Sequence, residues 1–269
     1  DLLQEECLNV VKGTAKMNKE NILEIINLER SYSTVLPGGE KKEYSVLKGI
    51  SFQVRRGEFI SIMGSSGCGK TTLLKTIGML NKPNGGKVLY NGEDTTEIYG
   101  DHLAKIRRTQ LAFIFQDFYL MDSLTVRENI MLPLILNEDD PEESSKVAEE
   151  VAEKLGIKTL LEKKPYELSG GEKQRTAICR AMAENPELIL ADEPTGNLDS
   201  NSSKQVISTL SYINQKLGKT IVMVTHDPKM ASYCDRIILL KDGRILDTLV
   251  KEGNNEIFYQ NVLRQMVRI

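Results

Sequence analysis

The sequence predicts an α/β fold with a mainly parallel core sheet, an antiparallel β subdomain and an inserted helical subdomain. Three observations predict it. Apolar runs at 59–63, 188–191 and 220–225 are short and continuous, which is typical of strands buried on both faces of a parallel sheet. Between residues 21 and 94 the sequence has strand-like stretches separated by turn glycines. From about residue 95 to 183 it becomes helical and charged.

The composition favours one globular domain, which we assign to residues 17–269. The chain has 269 residues, of which 40% are hydrophobic and 27% charged, with a net charge of -3. This faintly acidic balance argues against a nucleic-acid partner, which selects a basic surface. The four cysteines are scattered without a CxxC pair, so we expect reduced thiols rather than disulfides or a zinc site. No apolar run approaches the roughly 20 residues that span a bilayer.

Residues 1–16 precede Met17 and have no clear place in this fold. Two interpretations stay open. In one, the stretch is an extension upstream of the natural start, since Lys12-Gly13 is compatible with a ribosome-binding sequence shortly before a start codon. In the other, it is a genuine N-terminal extension of the protein and is disordered.

A phosphate-binding loop follows the first apolar run. Residues 64–71 fit the pattern G-x-x-x-x-G-K-[ST], with a strand before them and an amphipathic helix after them. We expect Lys70 to reach the β- and γ-phosphates of a nucleoside triphosphate and Thr71 to offer its hydroxyl to Mg²⁺. The alternative is a chance match in a flexible loop, and the flanking strand and helix argue against it. The predicted nucleotide-binding residues of this loop are Gly64, Ser65, Ser66, Gly67, Cys68, Gly69, Lys70, Thr71 and Thr72.

Polar side chains follow three of the other apolar runs. Asp192 and Glu193 end the run at 188–191, His226 follows the run at 220–225, and Gln116 follows a short run, AFIF. Open α/β sheets bind ligands at the carboxyl ends of their strands. We therefore expect Asp192 to hold Mg²⁺, Glu193 to polarise an attacking water, and Gln116 to reach either of them. The alternatives are a turn cap for Asp192, a solvated carboxylate for Glu193 and a structural role for His226.

A second anion site is predicted at LSGGEKQR, residues 168–175. Two adjacent glycines open a long helical pattern, although glycine inside a helix costs about 1 kcal/mol relative to alanine. We predict that Ser169 caps this helix and that Gly170 and Gly171 form its open first turn. The exposed amides of a helix N-terminus favour an anion. The chain thus has two predicted phosphate-binding segments.

With these motifs in place, the sequence resembles the ATP-binding cassette (ABC) ATPases from about residue 21 to 247. The resemblance implies ATP and Mg²⁺ as cofactors, and Tyr32 as the aromatic that stacks on adenine, with Tyr44 as the alternative. Glu172 stands where the family often has glutamine. The resemblance implies these further roles: Walker A at 64–72, Gln116 as the Q-loop glutamine, the signature at 168–172 (Ser169, Gly170, Gly171 and Glu172 at the nucleotide), Walker B at 188–192, Glu193 as general base, the D-loop at 197–199 (Asp199 at the nucleotide), His226 as the switch histidine, and Thr71, Gln116 and Asp192 at the metal.

The resemblance also explains why two phosphate-binding segments are present. In this family two cassettes pack head to tail, and the signature of one copy closes over the γ-phosphate bound by the other, in a two-fold arrangement. The implied partners are therefore a second copy of this chain and an integral-membrane permease encoded separately. The implied location is cytoplasmic, on the inner face of the membrane through the permease. Soluble ABC ATPases of DNA repair or translation are disfavoured, because the chain has one cassette and no long coiled coil.

Within the family, two stretches are similar to the bacitracin-type resistance ATPases of Gram-positive bacteria. They are FIFQDFYLMDSLTVRENI and MVTHDPKMASYCDRIILLKDG. This similarity implies a large permease, often allied with a sensor histidine kinase, that protects the cell against cell-wall-targeting peptides such as bacitracin or lantibiotics. The alternatives are a lipoprotein-releasing, macrolide-export or cell-division complex. A cassette does not touch the cargo, so its motifs do not identify the substrate.

Overall fold

The computed structural model describes residues 20–35 and 38–266, and the predicted extension at 1–16 lies outside them. The strands are β1 Asn21–Val35, β2 Lys41–Arg55, β3 Phe59–Gly64, β4 Gly85–Tyr90, β5 Glu93–Asp94, β6 Leu111–Ile114, β7 Leu188–Asp192, β8 Thr220–Thr225, β9 Arg236–Lys241 and β10 Arg244–Val250. The α-helices are α1 Lys70–Ile77, α2 Gly100–Thr109, α3 Val126–Leu136, α4 Pro141–Lys154, α5 Gly170–Met182, α6 Ser200–Leu217, α7 Pro228–Ala231 and α8 Asn255–Met266. Two 3₁₀ turns, Lys158–Leu160 and Pro165–Glu167, lead from α4 to α5.

The core sheet has the strand order β10-β9-β3-β8-β7-β6. All of its neighbouring strands pair in parallel except β9 and β10, which form a hairpin around Asp242-Gly243. Every residue of β3 and of β8 is buried, because helices or the second sheet cover both faces. The predicted mainly parallel core sheet is therefore confirmed. Its parallel strands bring the ends of β3, β7 and β8 to one edge.

The β subdomain is an antiparallel sheet of order β2-β1-β4-β5. It packs over one face of the core sheet, and α1 lies between the two. Leu23 of β1, Leu47 of β2 and Leu73 of α1 are fully buried in the same apolar cluster. This burial removes most of their apolar surface from water, worth about 25 cal/mol per Å². The helix that follows the phosphate loop is thus fixed between the two sheets.

The helical region lies on the other side of the core sheet. Helices α3, α4 and α5 share one apolar cluster with α6 and with strands β6 and β7. Helix α3 begins at a capping box, in which Thr125 and Glu128 satisfy each other's backbone amides. The range 95–183, predicted as a helical subdomain, also contains β6. That strand belongs to the core sheet because its apolar residues pair in parallel with β7, from Leu111 opposite Leu188 onwards.

The C-terminal helix α8 packs against the core. Phe258 and Val262 are buried in a cluster with Met63 of β3 and Leu239 of β9. Core packing at these two positions therefore holds α8 against the core sheet. Within the residues that the structure describes, no helix is long and apolar enough to cross a bilayer.

Candidate nucleotide-binding site

The loop between β3 and α1 is curled by its glycines. Gly67 and Gly69 have positive φ angles of 79° and 108°, which residues with a side chain adopt at a cost. A Cβ added to Gly64 would collide with the carbonyl of Leu240 and would lie 2.7 Å from Cys68 Sγ. Successive amides of such a loop form a concave nest for an anion. The local sequence therefore specifies the shape that phosphate binding requires.

Lys70 and Cys68 complete this loop from inside. Lys70 is buried, and its Nζ donates to the carbonyl oxygens of Gly64 (3.0 Å) and Ser65 (2.9 Å). The ammonium is thus held within the curl of the loop. Burial raises the pKa of the Cys68 thiol, an effect that the charge of Lys70 opposes. The Cys68 thiol is therefore buried within the loop in its neutral form.

Thr71 and Asp192 join the loop to the end of β7. The Thr71 hydroxyl donates to Asp192 Oδ1 over 3.0 Å. Burial raises the pKa of Asp192; the hydrogen bond from Thr71 lowers it and the negative charge of Glu193 raises it. A half-buried carboxylate next to a hydroxyl, beside a phosphate loop, provides hard oxygen ligands of the kind that Mg²⁺ prefers. The donor set fits this ion.

Glu193 follows β7 in an uncommon backbone conformation, with φ at 48°. Its amide donates to the carbonyl of Val224 on the neighbouring strand β8 over 2.9 Å, which holds the chain in this conformation. Its carboxylate Oε2 lies 2.6 Å from Nδ1 of His226, the residue that follows β8. The parallel pairing of β7 and β8 therefore brings these two predicted residues into contact.

Gln116 lies against the turn that follows Glu193. Its Nε2 donates to Asn197 Oδ1 over 2.9 Å, and Asn197 Nδ2 donates to Asp117 Oδ1 over 3.2 Å. A Cβ on Gly196 would come within 3.0 Å of the Gln116 side chain. The structure thus places Gln116 next to the segment after Glu193, and the hydrogen bond of its amide goes to Asn197 rather than to the predicted metal ligands.

The predicted signature forms the N-terminus of α5. Ser169 caps this helix, as predicted, in a capping box with Glu172. The Glu172 carboxylate accepts from the hydroxyl of Ser169 (2.7 Å) and from its amide (2.8 Å). These bonds from Ser169 lower the pKa of Glu172. The helix N-terminus is therefore well defined, and its first turn presents backbone amides.

The two glycines of this turn let α5 approach the start of α6. A Cβ on Gly170 would lie 3.1 Å from Leu198, and one on Gly171 would lie 2.8 Å from Ser202. Asp199 caps α6, since its Oδ1 accepts from the amides of Asn201 (2.9 Å) and Ser202. Hydrogen bonds from the Ser202 side chain and backbone lower the pKa of Asp199. Close packing against α6 thus favours glycine at 171 and leaves little room for a side chain at 170.

Tyr32 and Tyr44 are directly opposite each other on β1 and β2, and both are partly exposed, by 39% and 45%. Directly paired residues lie on the same face of a sheet. The guanidinium of Arg30 lies 4.7 Å from the Tyr32 ring centroid, and Asn81 donates to the Tyr32 hydroxyl over 3.1 Å. Asn81 lies shortly after α1, so Tyr32 is the tyrosine tied to the helix of the phosphate loop.

One residue of this region is not predicted from the sequence as a site residue. Asn81 holds Tyr32 through a hydrogen bond, and it belongs to no local pattern that indicates such a role. Asn197, which the resemblance places in the D-loop, bridges Gln116 and Asp117, which are far away along the chain.

The fold and this site define a nucleotide-hydrolysing α/β cassette. The phosphate loop lies beside the oxygen atoms of Thr71 and Asp192, and Glu193 and His226 meet at the ends of adjacent strands. The comparisons with known proteins assign the family. The family model described as "ABC transporter" matches residues 47–196. The ABC transporter ATP-binding protein YxdL of Bacillus subtilis (strain 168) is 46% identical over 243 residues, covering 90% of this chain and 92% of YxdL. The chain belongs to the ATP-binding proteins of ABC transporters and is an ATPase.

Two further similarities concern a named activity and an assembly. The bacitracin export ATP-binding protein BceA of Halalkalibacterium halodurans is 44% identical over 244 residues, covering 90% of this chain and 94% of BceA. The ATP-binding cassette MJ0796, in a dimeric post-hydrolysis structure bound to ADP and Pi, superposes with a TM-score of 0.77. It is 40% identical and covers 86% of this chain and 99% of its own.

Proposed function

We propose that this chain is the ATPase of a transporter that protects cells against cell-wall-targeting peptide antibiotics, such as bacitracin or lantibiotics. The observation that carries the proposal is the similarity to the bacitracin export ATP-binding protein over almost the full length of that protein. The chain would act through a separate integral-membrane permease, which places it on the cytoplasmic face of the membrane. A sensor histidine kinase would be reached through the same permease.

In the proposed mechanism, the loop at 64–72 binds the phosphates of ATP. Lys70 points into the curl of this loop, where its charge stabilises the negative phosphate oxygens. Thr71 and Asp192 would hold Mg²⁺, with Gln116 completing the set. The ion would neutralise the charge that develops on the phosphates. Tyr32 would stack on the adenine, because it is anchored by Asn81 beside the end of α1.

Glu193 is the proposed general base. Its carboxylate is held by His226 and by the constrained backbone of residue 193, so it can orient a water without moving. His226 is partly exposed, and its second ring nitrogen is available to the γ-phosphate. The pair would align the water for attack on the terminal phosphorus. ADP and inorganic phosphate are the products.

The proposed active assembly is a head-to-tail dimer of this chain. Ser169, Gly170 and Gly171 of one copy, with Glu172 and Asp199 supporting them, would close over the γ-phosphate bound by the partner. The capped and open first turn of α5 supports this role. The dimeric MJ0796 structure supports the arrangement, since it is similar over 86% of this chain. Hydrolysis would remove the ligand that bridges the two copies, and the permease would respond to their separation.

The permease is proposed to contact the segment after Gln116. Tyr119 and Met121 are exposed there, by 64% and 50%, although both are large and apolar. Arg180 of α5 donates to the carbonyl oxygens of Phe118 and Tyr119. Because these bonds fix the segment to α5, it would transmit a movement of the nucleotide site to a permease helix docked on it.

The first test addresses the hydrolytic site. Glu193→Gln should abolish hydrolysis and trap a dimer in saturating Mg-ATP, as measured by light scattering on the full chain. Glu187→Gln is the matched control, since it makes the same change at the opposite end of β7, where Glu187 pairs with Arg56. A monomer of Glu193→Gln in Mg-ATP would contradict the proposed dimer.

The second test addresses the physiological role. In the native host, chromosomal Glu193→Gln should cause a several-fold loss of resistance to bacitracin and to a lantibiotic, with small-molecule drugs unaffected. Unchanged peptide resistance, with the variant protein at its normal level, would favour the lipoprotein-releasing, macrolide-export or cell-division alternatives.

A further inference from the structure

Helix α5 carries a glutamine whose side chain is entirely buried between two segments of the site. Gln174 is 0% exposed. Its Nε2 donates to the carbonyl oxygen of Phe115 over 3.1 Å and to that of Pro194 over 2.8 Å. Both partners are acceptors only, so the amide has a single orientation that satisfies them.

The other end of this amide has no hydrogen-bond partner among the described residues. Gln174 Oε1 is buried and unpaired. An unpaired buried acceptor is destabilising, so the favourable polar contribution of this side chain comes from its two donated bonds and not from its carbonyl. The bond to Pro194 is buried and the bond to Phe115 is part-buried, so the amide supplies a donor to two backbone carbonyls with limited access to water.

The two carbonyls belong to the residues adjacent to Gln116 and Glu193. Phe115 directly precedes Gln116 after β6, and Pro194 directly follows Glu193 after β7. Gln116 and the turn at 193–197 also contact each other through Asn197. One amide therefore ties α5, whose N-terminus is the signature, to both segments.

We propose that Gln174 is a positioning residue for ATP hydrolysis. It fixes the spacing of Gln116 and Glu193 and couples both to the N-terminus of α5, which the proposed dimer brings to the γ-phosphate of the partner. The inference rests on the proposed roles of these residues. Gln174 does not touch the nucleotide, so its loss should affect the chemical step and leave ATP binding intact.

The test compares Gln174→Met and Gln174→Glu in the full chain. Both keep the length of the side chain, and neither has the two amide hydrogens. Each should lower kcat by about 10- to 100-fold, because a displacement of roughly 1 Å of a reacting group has this effect. KM for ATP and binding of a fluorescent ATP analogue should remain close to wild type. Ile178→Val is the matched control, since Ile178 is also buried on α5 and contacts the core rather than the loops.

A merely structural role would give a different pattern. It would lower the melting temperature and the active fraction of Gln174→Met and of Ile178→Val alike, with kcat per folded molecule unchanged. That result, or a rise in KM at unchanged kcat, would overturn the proposal. If Gln174→Met does not fold, the same kcat and KM measurement on Gln174→Glu decides.

Activities of Glu193→Gln and Gln174→Met together distinguish the positioning role of Gln174 from the proposed role of Glu193. An inactive Glu193→Gln together with a fully active Gln174→Met would overturn the inference alone. An active Glu193→Gln together with a kcat-impaired Gln174→Met would overturn Glu193 as the general base and would restrict the positioning role of Gln174 to Gln116.

Discussion

Glu193 and His226 lie 2.6 Å apart, from Oε2 to Nδ1, although 33 positions separate them in the sequence. They meet because β7 and β8 are parallel neighbours that end at the same edge. A carboxylate only accepts hydrogen bonds, so Nδ1 of His226 carries the proton when Glu193 is ionised. This leaves Nε2 as the ring nitrogen that is free to face a ligand.

Replacing His226 should therefore impair the chemical step. His226→Ala should lower kcat by about 100-fold or more, which is the scale of lost acid–base assistance. Phosphate release at saturating ATP measures this effect. His102→Ala is the control, because His102 is the other histidine of the chain and lies on the surface beside Glu93. Equal activity of the two variants would contradict the proposed role of the pair.

Tyr32 and Tyr44 are a matched pair of residues for locating the adenine base of bound ATP. They are paired across β1 and β2 and are similarly exposed, but Tyr32 alone contacts Asn81 near α1. Tyr32→Ala should raise the Kd for ATP by roughly twofold to twelvefold, as expected when an aromatic stack of about 0.5–1.5 kcal/mol is lost. Tyr44→Ala should leave it unchanged.

A competitor that lacks the adenine base completes this experiment. The affinity for inorganic tripolyphosphate should be the same in both tyrosine variants and in the wild type. A larger effect of Tyr44→Ala on ATP affinity would reverse the assignment. A loss of tripolyphosphate affinity in Tyr32→Ala would show that the tyrosine supports the phosphate loop rather than the base.

Local sequence patterns predict those features of the fold that depend on residues close together in the sequence. The loop at 64–71 needs Gly67 and Gly69 for positive φ and Gly64 for its close approach to Leu240. The runs at β3, β7 and β8 are apolar because both faces are covered. These patterns predict the fold class and the candidate site residues at the ends of the strands. The short apolar strand expected before Gln116 is confirmed as β6, but its four residues give little periodicity, and the sequence does not separate it from the surrounding helical range.

The remaining features depend on contacts between distant residues. Glu193 adopts a φ of 48° because Val224 on another strand accepts its amide hydrogen. Gln116 meets Asn197 across 81 positions, and Gln174 meets two loops at once. No periodicity or spacing encodes such pairings, because they exist only once the sheet is assembled. Sequence patterns therefore predict which residues face the site better than they predict which residues hold them there.

The capping box of α5 should make the stability of the fold depend on pH. Hydrogen bonds from Ser169 lower the pKa of Glu172 below its ordinary value of 4.5. A lowered pKa in the folded state means that the carboxylate stabilises the fold above pH 4.5 and loses this effect as the pH falls through the folded-state pKa. The effect is small, about 0.3–1 kcal/mol, because the group is partly solvated.

Glu172→Gln tests this dependence. Glutamine at this position still completes a capping box, but it does not titrate. The free energy of unfolding of wild type minus that of Glu172→Gln should be positive at about pH 7 and should shrink toward about pH 4. Urea unfolding at several pH values measures it. In a Ser169→Ala background the pH dependence should weaken, and a difference that grows on acidification would contradict this account.

The C-terminal helix α8 offers a test of packing with a built-in control. Phe258 is 1% exposed against β3 and β9, whereas its neighbour Ile257 is 53% exposed. Phe258→Ala should lower the free energy of unfolding by about 3–5 kcal/mol, because it removes buried apolar surface and leaves a cavity. Ile257→Ala should change it by no more than about 0.5 kcal/mol. Denaturant unfolding of the full chain gives both values, and equal losses would mean that α8 does not pack through Phe258.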